Sequence, residues 1–204
     1  TYNTAVGMGA GRSVTTGIQN TLIGGDVGDF LSDADYNTAV GYGALSSDAL
    51  GSRSTALGYY ALLNQNFTTA TNSHNVAVGY FAGTAVTTGV ENTLLGPLAG
   101  DALTDADSNV AIGYAALSSD VLGSRAVAVG QGALNEQNFT TATNSYNVAI
   151  GYSSGNKIST GTANVALGGL ALDAETTGSF NVALGYATLS DSNGGSSNVA
   201  VGTL

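Results

Sequence analysis

The pentapeptide N-T-A-V-G at residues 3–7 returns, with small variations, until it has appeared twelve times in 204 residues. The copies begin at Asn3, Asn20, Asn37, Ser54, Asn75, Asn92, Asn109, Ala126, Asn147, Asn164, Asn181 and Asn198. Start-to-start spacing is 17 residues, except after the fourth and eighth copies, where it is 21. Three short units and one long unit make a superrepeat of 72, and residues 3–74 and 75–146 align without a gap at 46 identities. A third superrepeat, residues 147–204, is truncated. The chain therefore reads as one repeat array, residues 1–204, without an internal domain boundary, and as a segment of something longer. A period of this length means that no unit buries its own apolar face, so successive units must stack.

Positions are counted here from the first residue of each pentapeptide. Position 5 is Gly in all twelve copies, including Gly7, Gly24, Gly41, Gly79, Gly113, Gly151 and Gly185. Position 4 is Val, Ile or Leu, and position 2 is Thr or Val. Position 3 is Ala in ten copies and Leu in two, Leu22 and Leu94. A short β-rich run ending at Gly predicts a strand. Seventeen residues hold about two such strands and two tight turns, which is one coil of a parallel β-solenoid. A second Gly precedes the next pentapeptide by three residues in most short units (Gly17, Gly51, Gly123), and Asn72 and Asn144 take its place in the long ones. Gly and Asn tolerate positive φ best, so this column predicts a left-handed turn. Position 1 is Asn in ten of twelve copies, among them Asn3, Asn20, Asn37, Asn75, Asn109, Asn147 and Asn181. In-register coils would stack these amides as a hydrogen-bonded ladder.

Strand positions 2 and 4 face one way and position 3 the other, and both sets are apolar or small. Strands of that kind are buried on both sides. A lone roll has only one interior, so the pattern predicts a homo-oligomer, most simply a trimer packed around an axis.

Composition removes most competing classes. Thirty Gly would cost a helical bundle about 1 kcal/mol at each interior position. A single Pro excludes collagen, and the lack of Cys excludes disulfide scaffolds and thiolate metal sites. Four Lys and Arg against fourteen Asp and Glu give a net charge of −10, which argues against a nucleic-acid partner. No apolar run is long enough for a transmembrane helix, so membrane insertion is not expected.

The extended motif N-[TV]-A-[VI]-G-Y-x-A-L at residues 37–45 and 109–117, with the close variant NVALGYATL at 181–189, resembles two related groups. One is the head repeats of YadA-like trimeric autotransporter adhesins. The other is the NTAVGYxAL arrays of bacteriophage tail-fibre proteins. The resemblance covers the whole chain, although the adhesin heads use somewhat shorter units. It implies an all-β fold, a left-handed parallel β-roll assembled as a homotrimer. It further implies an extracellular place, on a virion or a bacterial surface, and a host or cell-surface glycan or receptor as partner.

Candidate sites are few. The long units carry NQNFTTATNS at residues 64–73 and EQNFTTATNS at residues 136–145, each with four extra residues. Solenoid insertions form loops on one face, and such loops often bind. Asn66, Phe67, Thr68, Asn138, Phe139 and Thr140 are the recognition candidates. The alternative is that each Phe folds back over a coil edge. Asn-Phe-Thr also matches the N-glycosylation pattern. Asp33, Asp35, Asp105 and Asp107 sit in D-x-D-x-N segments, which open like a Ca2+ loop but lack its Gly and closing Glu. They read as solvated acidic turns, with calcium bridging as the alternative and no other cofactor. Tyr at position 6 (Tyr42, Tyr59, Tyr80, Tyr114, Tyr152, Tyr186) reads as a turn cap or as an aromatic stripe for sugars. His74, the single His, is replaced by Tyr146 in the next superrepeat, so no catalytic triad is supported. The chain is expected to be a structural fibre or adhesin segment and not an enzyme. A polysaccharide-depolymerising tailspike and an ice-binding roll are the alternatives.

Overall fold

The computed structural model describes residues 2–203. Among them there is no helix, and sixteen short strands follow one another. Twelve are three-residue strands covering positions 2–4 of the pentapeptides: β1 (Thr4–Val6), β2 (Thr21–Ile23), β3 (Thr38–Val40), β5 (Thr55–Leu57), β7 (Val76–Val78), β8 (Thr93–Leu95), β9 (Val110–Ile112), β11 (Val127–Val129), β13 (Val148–Ile150), β14 (Val165–Leu167), β15 (Val182–Leu184) and β16 (Val199–Val201). They form one parallel sheet in chain order, with each position 3 opposite the next. The other four are two-residue strands, β4 (Gly51–Ser52) with β6 (Thr71–Asn72) and β10 (Gly123–Ser124) with β12 (Thr143–Asn144), again parallel. The chain is a parallel β-solenoid of about twelve coils. At about 4.8 Å per coil it is roughly 55–60 Å long.

Each coil carries one full strand rather than two. The second strand is reduced to a pair of residues, and only around the 21-residue coils. The reason lies in the backbone. Beyond the strand, positions 5, 7 and 9 adopt positive φ, as at Gly41, Gly43 and Leu45. Alternating left-handed residues cannot make extended chain. The coils still bond to one another through this part, as in Gly28 N–H to Ala44 O at 3.0 Å and Phe30 N–H to Ser46 O at 3.0 Å.

The left-handed turn before each pentapeptide is displaced from its expected place. Gly17, Gly51, Gly123, Asn72 and Asn144 do not have positive φ. The residue directly before the pentapeptide does, in all twelve copies, with φ from 51 to 69°, and none is Gly. Tyr36, Arg53, His74 and Phe180 are examples. The glycines at the predicted column answer a different need, which is space. A Cβ on Gly17 would lie 2.4 Å from the Ala34 carbonyl oxygen, and one on Gly51 would lie 2.7 Å from the Phe67 ring. At position 5 both constraints apply: φ runs from 127 to 145°, and a Cβ on Gly41 would meet the Gly58 carbonyl oxygen at 2.4 Å.

The Asn column is in register, but most of its bonds run to backbone. Asn20 Oδ1 accepts from the Asn37 N–H at 2.9 Å in the next coil, and Asn20 Nδ2 donates to Ala34 O at 2.7 Å in its own. Each Asn thus closes one coil and fastens it to the next. Direct amide-to-amide bonds occur at a few places, such as Asn198 Nδ2 to Asn181 Oδ1 at 3.0 Å.

The interior is narrow. It holds the position 3 Ala residues, position 8 Ala residues such as Ala44, Ala82 and Ala116, and about one large aliphatic side chain per coil. Leu45, Leu62, Leu117, Leu134 and Leu172 come from position 9, whereas Leu31, Val86, Leu103 and Ile158 come from position 12 of coils with Gly at position 9. Each buried Leu contributes about 1.5–3 kcal/mol.

Candidate functional surface

Among the described residues no pocket opens anywhere on the roll. Any recognition by this part of the molecule occurs on its outer faces. Except in the two end strands, position 3 side chains are fully buried, as at Ala39, Ala77 and Ala111. Positions 2 and 4 project outward and are half-buried or exposed, and Ile23 and Ile150 are each 40 % exposed. Along the twelve-stranded sheet these positions form columns of Thr or Val and of Val, Ile or Leu, open to solvent in the single chain.

Beside that face lies the position 6 column. Its Tyr side chains are exposed, from 42 % at Tyr59 to 59 % at Tyr152. Tyr42 stacks on Tyr59 with centroids 5.7 Å apart, and Tyr59 stacks on Tyr80 at 5.6 Å, both at 17° between planes. Tyr60 and Phe81, at position 7, add a second row. Tyr60 lies 4.1 Å from Tyr59, and Phe81 lies 4.5 Å from Tyr80. Five rings therefore form one contiguous patch over three coils. Asp26 beside Tyr42 pushes that phenol above its ordinary value, because a second negative charge there is unfavourable.

The left-handed residue before each pentapeptide makes another exposed column. Arg53 lies over the Tyr36 ring, 4.9 Å from its centroid, and its Nε donates to Asn72 Oδ1 at 3.0 Å. Arg125, one superrepeat on, lies 5.9 Å from the Tyr146 ring centroid and donates to its hydroxyl at 3.1 Å. His74 shares this column and is exposed.

The loop candidates divide. Asn66, Thr68, Asn138 and Thr140 are exposed, but Phe67 and Phe139 are only 5 % and 6 % exposed. Their rings pack inward and do not project from the loop, the placement that the alternative of a Phe folded onto the coil describes. The Phe67 N–H is held by Asp48 Oδ1 at 3.1 Å, and the Phe139 N–H by Asp120 Oδ1 at 2.9 Å.

The Asp pairs act as acceptors between coils. Asp33 takes the Thr16 hydroxyl at 2.6 Å and Asp35 the Ile18 N–H at 2.8 Å, while Asp105 takes the Thr88 hydroxyl at 2.7 Å and Asp107 the Val90 N–H at 2.8 Å. Among the described residues, no three His, Asp or Glu side chains converge on one point.

The sequence reading missed a buried polar network. Asp48, Gln65, Asp120, Gln137 and Glu175 all occupy position 12 and are fully buried. Gln65 donates to Asp48 and to the Ser54 hydroxyl, and accepts from Asn75 Nδ2 at 2.8 Å. The signal was present as an exchange between columns. Where position 9 is Leu, position 12 is polar, and where position 9 is Gly, position 12 is aliphatic.

No protein-family model, curated protein or solved structure matches this chain.

Proposed function

We propose that the chain is a structural element, a rigid shaft or head segment of an extracellular fibre or adhesin, assembled as a homotrimer of left-handed rolls. One observation carries this reading. The outward position 4 column makes a continuous aliphatic strip along the sheet, flanked by the Thr and Val of position 2, with Ile23, Ile112, Ile150 and Leu167 at least 36 % exposed. An apolar strip that long is a self-association surface in a soluble protein. Its repeat in register with the coil allows identical rolls to pack side by side over their whole length. The backbone ladder and the Asn column, both periodic and cross-linking neighbouring coils, supply the stiffness a shaft needs. The resemblance of the repeats to phage tail-fibre and adhesin arrays points the same way.

The test is solution mass by size exclusion with light scattering. Three copies of the 20.1 kDa chain are expected. The variant carrying Ile23→Thr, Ile112→Thr, Ile150→Thr and Leu167→Thr should run as a folded monomer. A wild-type chain that is folded, soluble and monomeric overturns the proposal.

A further inference from the structure

We propose that the patch of Tyr42, Tyr59, Tyr60, Tyr80 and Phe81 is a binding surface for an uncharged polysaccharide chain lying along the axis of the roll. This goes beyond the structural reading and does not require it, since the rings are arranged by one chain alone.

The patch is a local departure from the repeat. Tyr59 and Tyr60 correspond, 72 residues on, to Gln131 and Gly132. Tyr80 and Phe81 correspond to Met8 and Gly9 one superrepeat earlier, and to Tyr152 and Ser153 one later. The fold therefore accepts small residues at position 7, and these aromatics are not needed to build the coil. They are also disfavoured there. Tyr60 and Phe81 have φ of 58° and 57°, a conformation in which a bulky side chain is strained and Gly is not. Nor do the Tyr residues of the column supply core, since Tyr42, Tyr59 and Tyr80 remain 47 %, 42 % and 55 % exposed. Among the described coils, position 7 is aromatic only at Tyr60 and Phe81, next to the exposed Tyr59 and Tyr80, so this clustering belongs to these coils and not to the repeat.

Several observations select the partner. The stacked rings repeat once per coil, with centroids 5.6–5.7 Å apart and a rise of about 4.8 Å, so the surface is a linear array with a repeat comparable to one pyranose unit. A periodic array suits a periodic polymer more than a single small molecule, and the absence of a pocket among the described residues excludes an enclosed ligand. Four of the five rings carry phenolic hydroxyls, and Asp26 stands beside Tyr42 as a further acceptor. Apolar ring surface bordered by such groups matches the mixture of C–H and hydroxyl on a sugar. An anionic polymer is disfavoured, because the patch contains no cation and the chain carries a net charge of −10.

The experiment titrates the full chain, by calorimetry and by tyrosine fluorescence, with neutral hexasaccharides: cellohexaose, chitohexaose, xylohexaose, maltohexaose and mannohexaose. The chain has no Trp, so its emission is that of its tyrosines. At least one hexasaccharide should bind in the millimolar range or tighter. The double variant Y59Q/Y60G imports the residues of the equivalent coil and so keeps the fold. It should weaken binding at least tenfold while circular dichroism and solution mass stay unchanged. Y80M/F81G, imported from the first coil, should do the same. Absence of binding to every hexasaccharide overturns the proposal. So does binding that survives both variants. Loss of self-association in Y59Q/Y60G also overturns it and makes the patch a contact between subunits. Oligomeric state is read from mass and sugar binding from titration, so the two proposals fail separately.

Discussion

The side-chain amide of Gln65 donates to the carboxylate of Asp48 at 2.6 Å, and both residues are fully buried. Asp48 also holds the Gly51 N–H at 3.0 Å and the Phe67 N–H at 3.1 Å. One carboxylate thus ties together the turn of its own coil, the next coil and the start of the inserted loop. The same arrangement recurs at Asp120 with Gln137, Gly123 and Phe139.

Removing that acceptor should be costly. Asp48→Ala takes the acceptor from two backbone N–H groups and from one of the two amide N–H groups of Gln65, the other being held by the Ser54 hydroxyl. At about 1–3 kcal/mol for each buried unsatisfied group, partly relieved by relaxation, a loss of about 2–4 kcal/mol is expected. Asp48→Asn keeps one acceptor oxygen and should lose less. Urea denaturation followed by circular dichroism measures both. Equal and negligible losses would show that the network is not what anchors the loop.

The glycines differ sharply in what they tolerate. Gly113→Ala combines a φ of 130° with a Cβ placed 2.6 Å from the Gly130 carbonyl carbon. Strain and clash together should cost about 3 kcal/mol or more. Gly169 lacks positive φ, and its Cβ would find nothing closer than 3.6 Å. Gly169→Ala should change stability by no more than about 0.5 kcal/mol. Thermal melts of the pair give the contrast directly.

The Asn column makes a similar test. Asn92 Oδ1 accepts from the Asn109 N–H at 3.0 Å, and its Nδ2 donates to Ala106 O at 2.7 Å. Asn92→Ala should cost about 1–3 kcal/mol. Asn92→Asp should cost more, because it replaces the donor facing the Ala106 carbonyl with a buried negative oxygen. A milder effect for Asp than for Ala would contradict this geometry.

Acid should raise stability at two positions. Asp101 and Asp173 occupy position 10, and each has a buried Oδ1 with no hydrogen-bond partner. Burial raises both above the ordinary carboxylate value; at Asp173, Asp191 adds to the rise and Lys157 opposes it. The folded state therefore holds these protons more tightly than the unfolded chain does. Their contribution is greatest at pH below the ordinary carboxylate range and is lost as pH rises through the elevated folded values. At the same column, Asn135 and Asn156 donate to the carbonyls of Ala115 and Gly132 in the preceding coil, at 3.0 and 2.9 Å. Asp101→Asn and Asp173→Asn should accordingly raise Tm at neutral pH and flatten its increase on acidification. Unchanged melting curves between wild type and the double variant would refute this.

Much of the architecture was legible because a solenoid repeats one environment many times. A column such as Gly7, Gly24 and Gly41 reports the same constraint at each coil, so the parallel register and the strand at positions 2–4 follow from spacing alone. Local backbone geometry was less legible. Gly17 and Gly51 looked like left-handed residues, but the left-handed place falls on Gln19 and Arg53, which no propensity marks. The inserted loop was found from its length, yet the burial of Phe67 depends on Asp48 and Gly51 in the coil before it. The aromatic patch was half visible, as a Tyr column whose contiguity came from Tyr60 and Phe81.

The amino-acid sequence by itself determined the period, the parallel pairing, the apolar or small character of both strand faces and the chain's strong negative charge, since these depend only on residue type repeated at fixed spacing. The tertiary structure decided which glycines serve conformation and which serve space, where the left-handed residues fall, and which loop side chains turn inward. It also brought five rings from three coils into one patch. Those outcomes depend on contacts between residues 17 to 21 apart in sequence, where the side chains of one coil set the room available to the next.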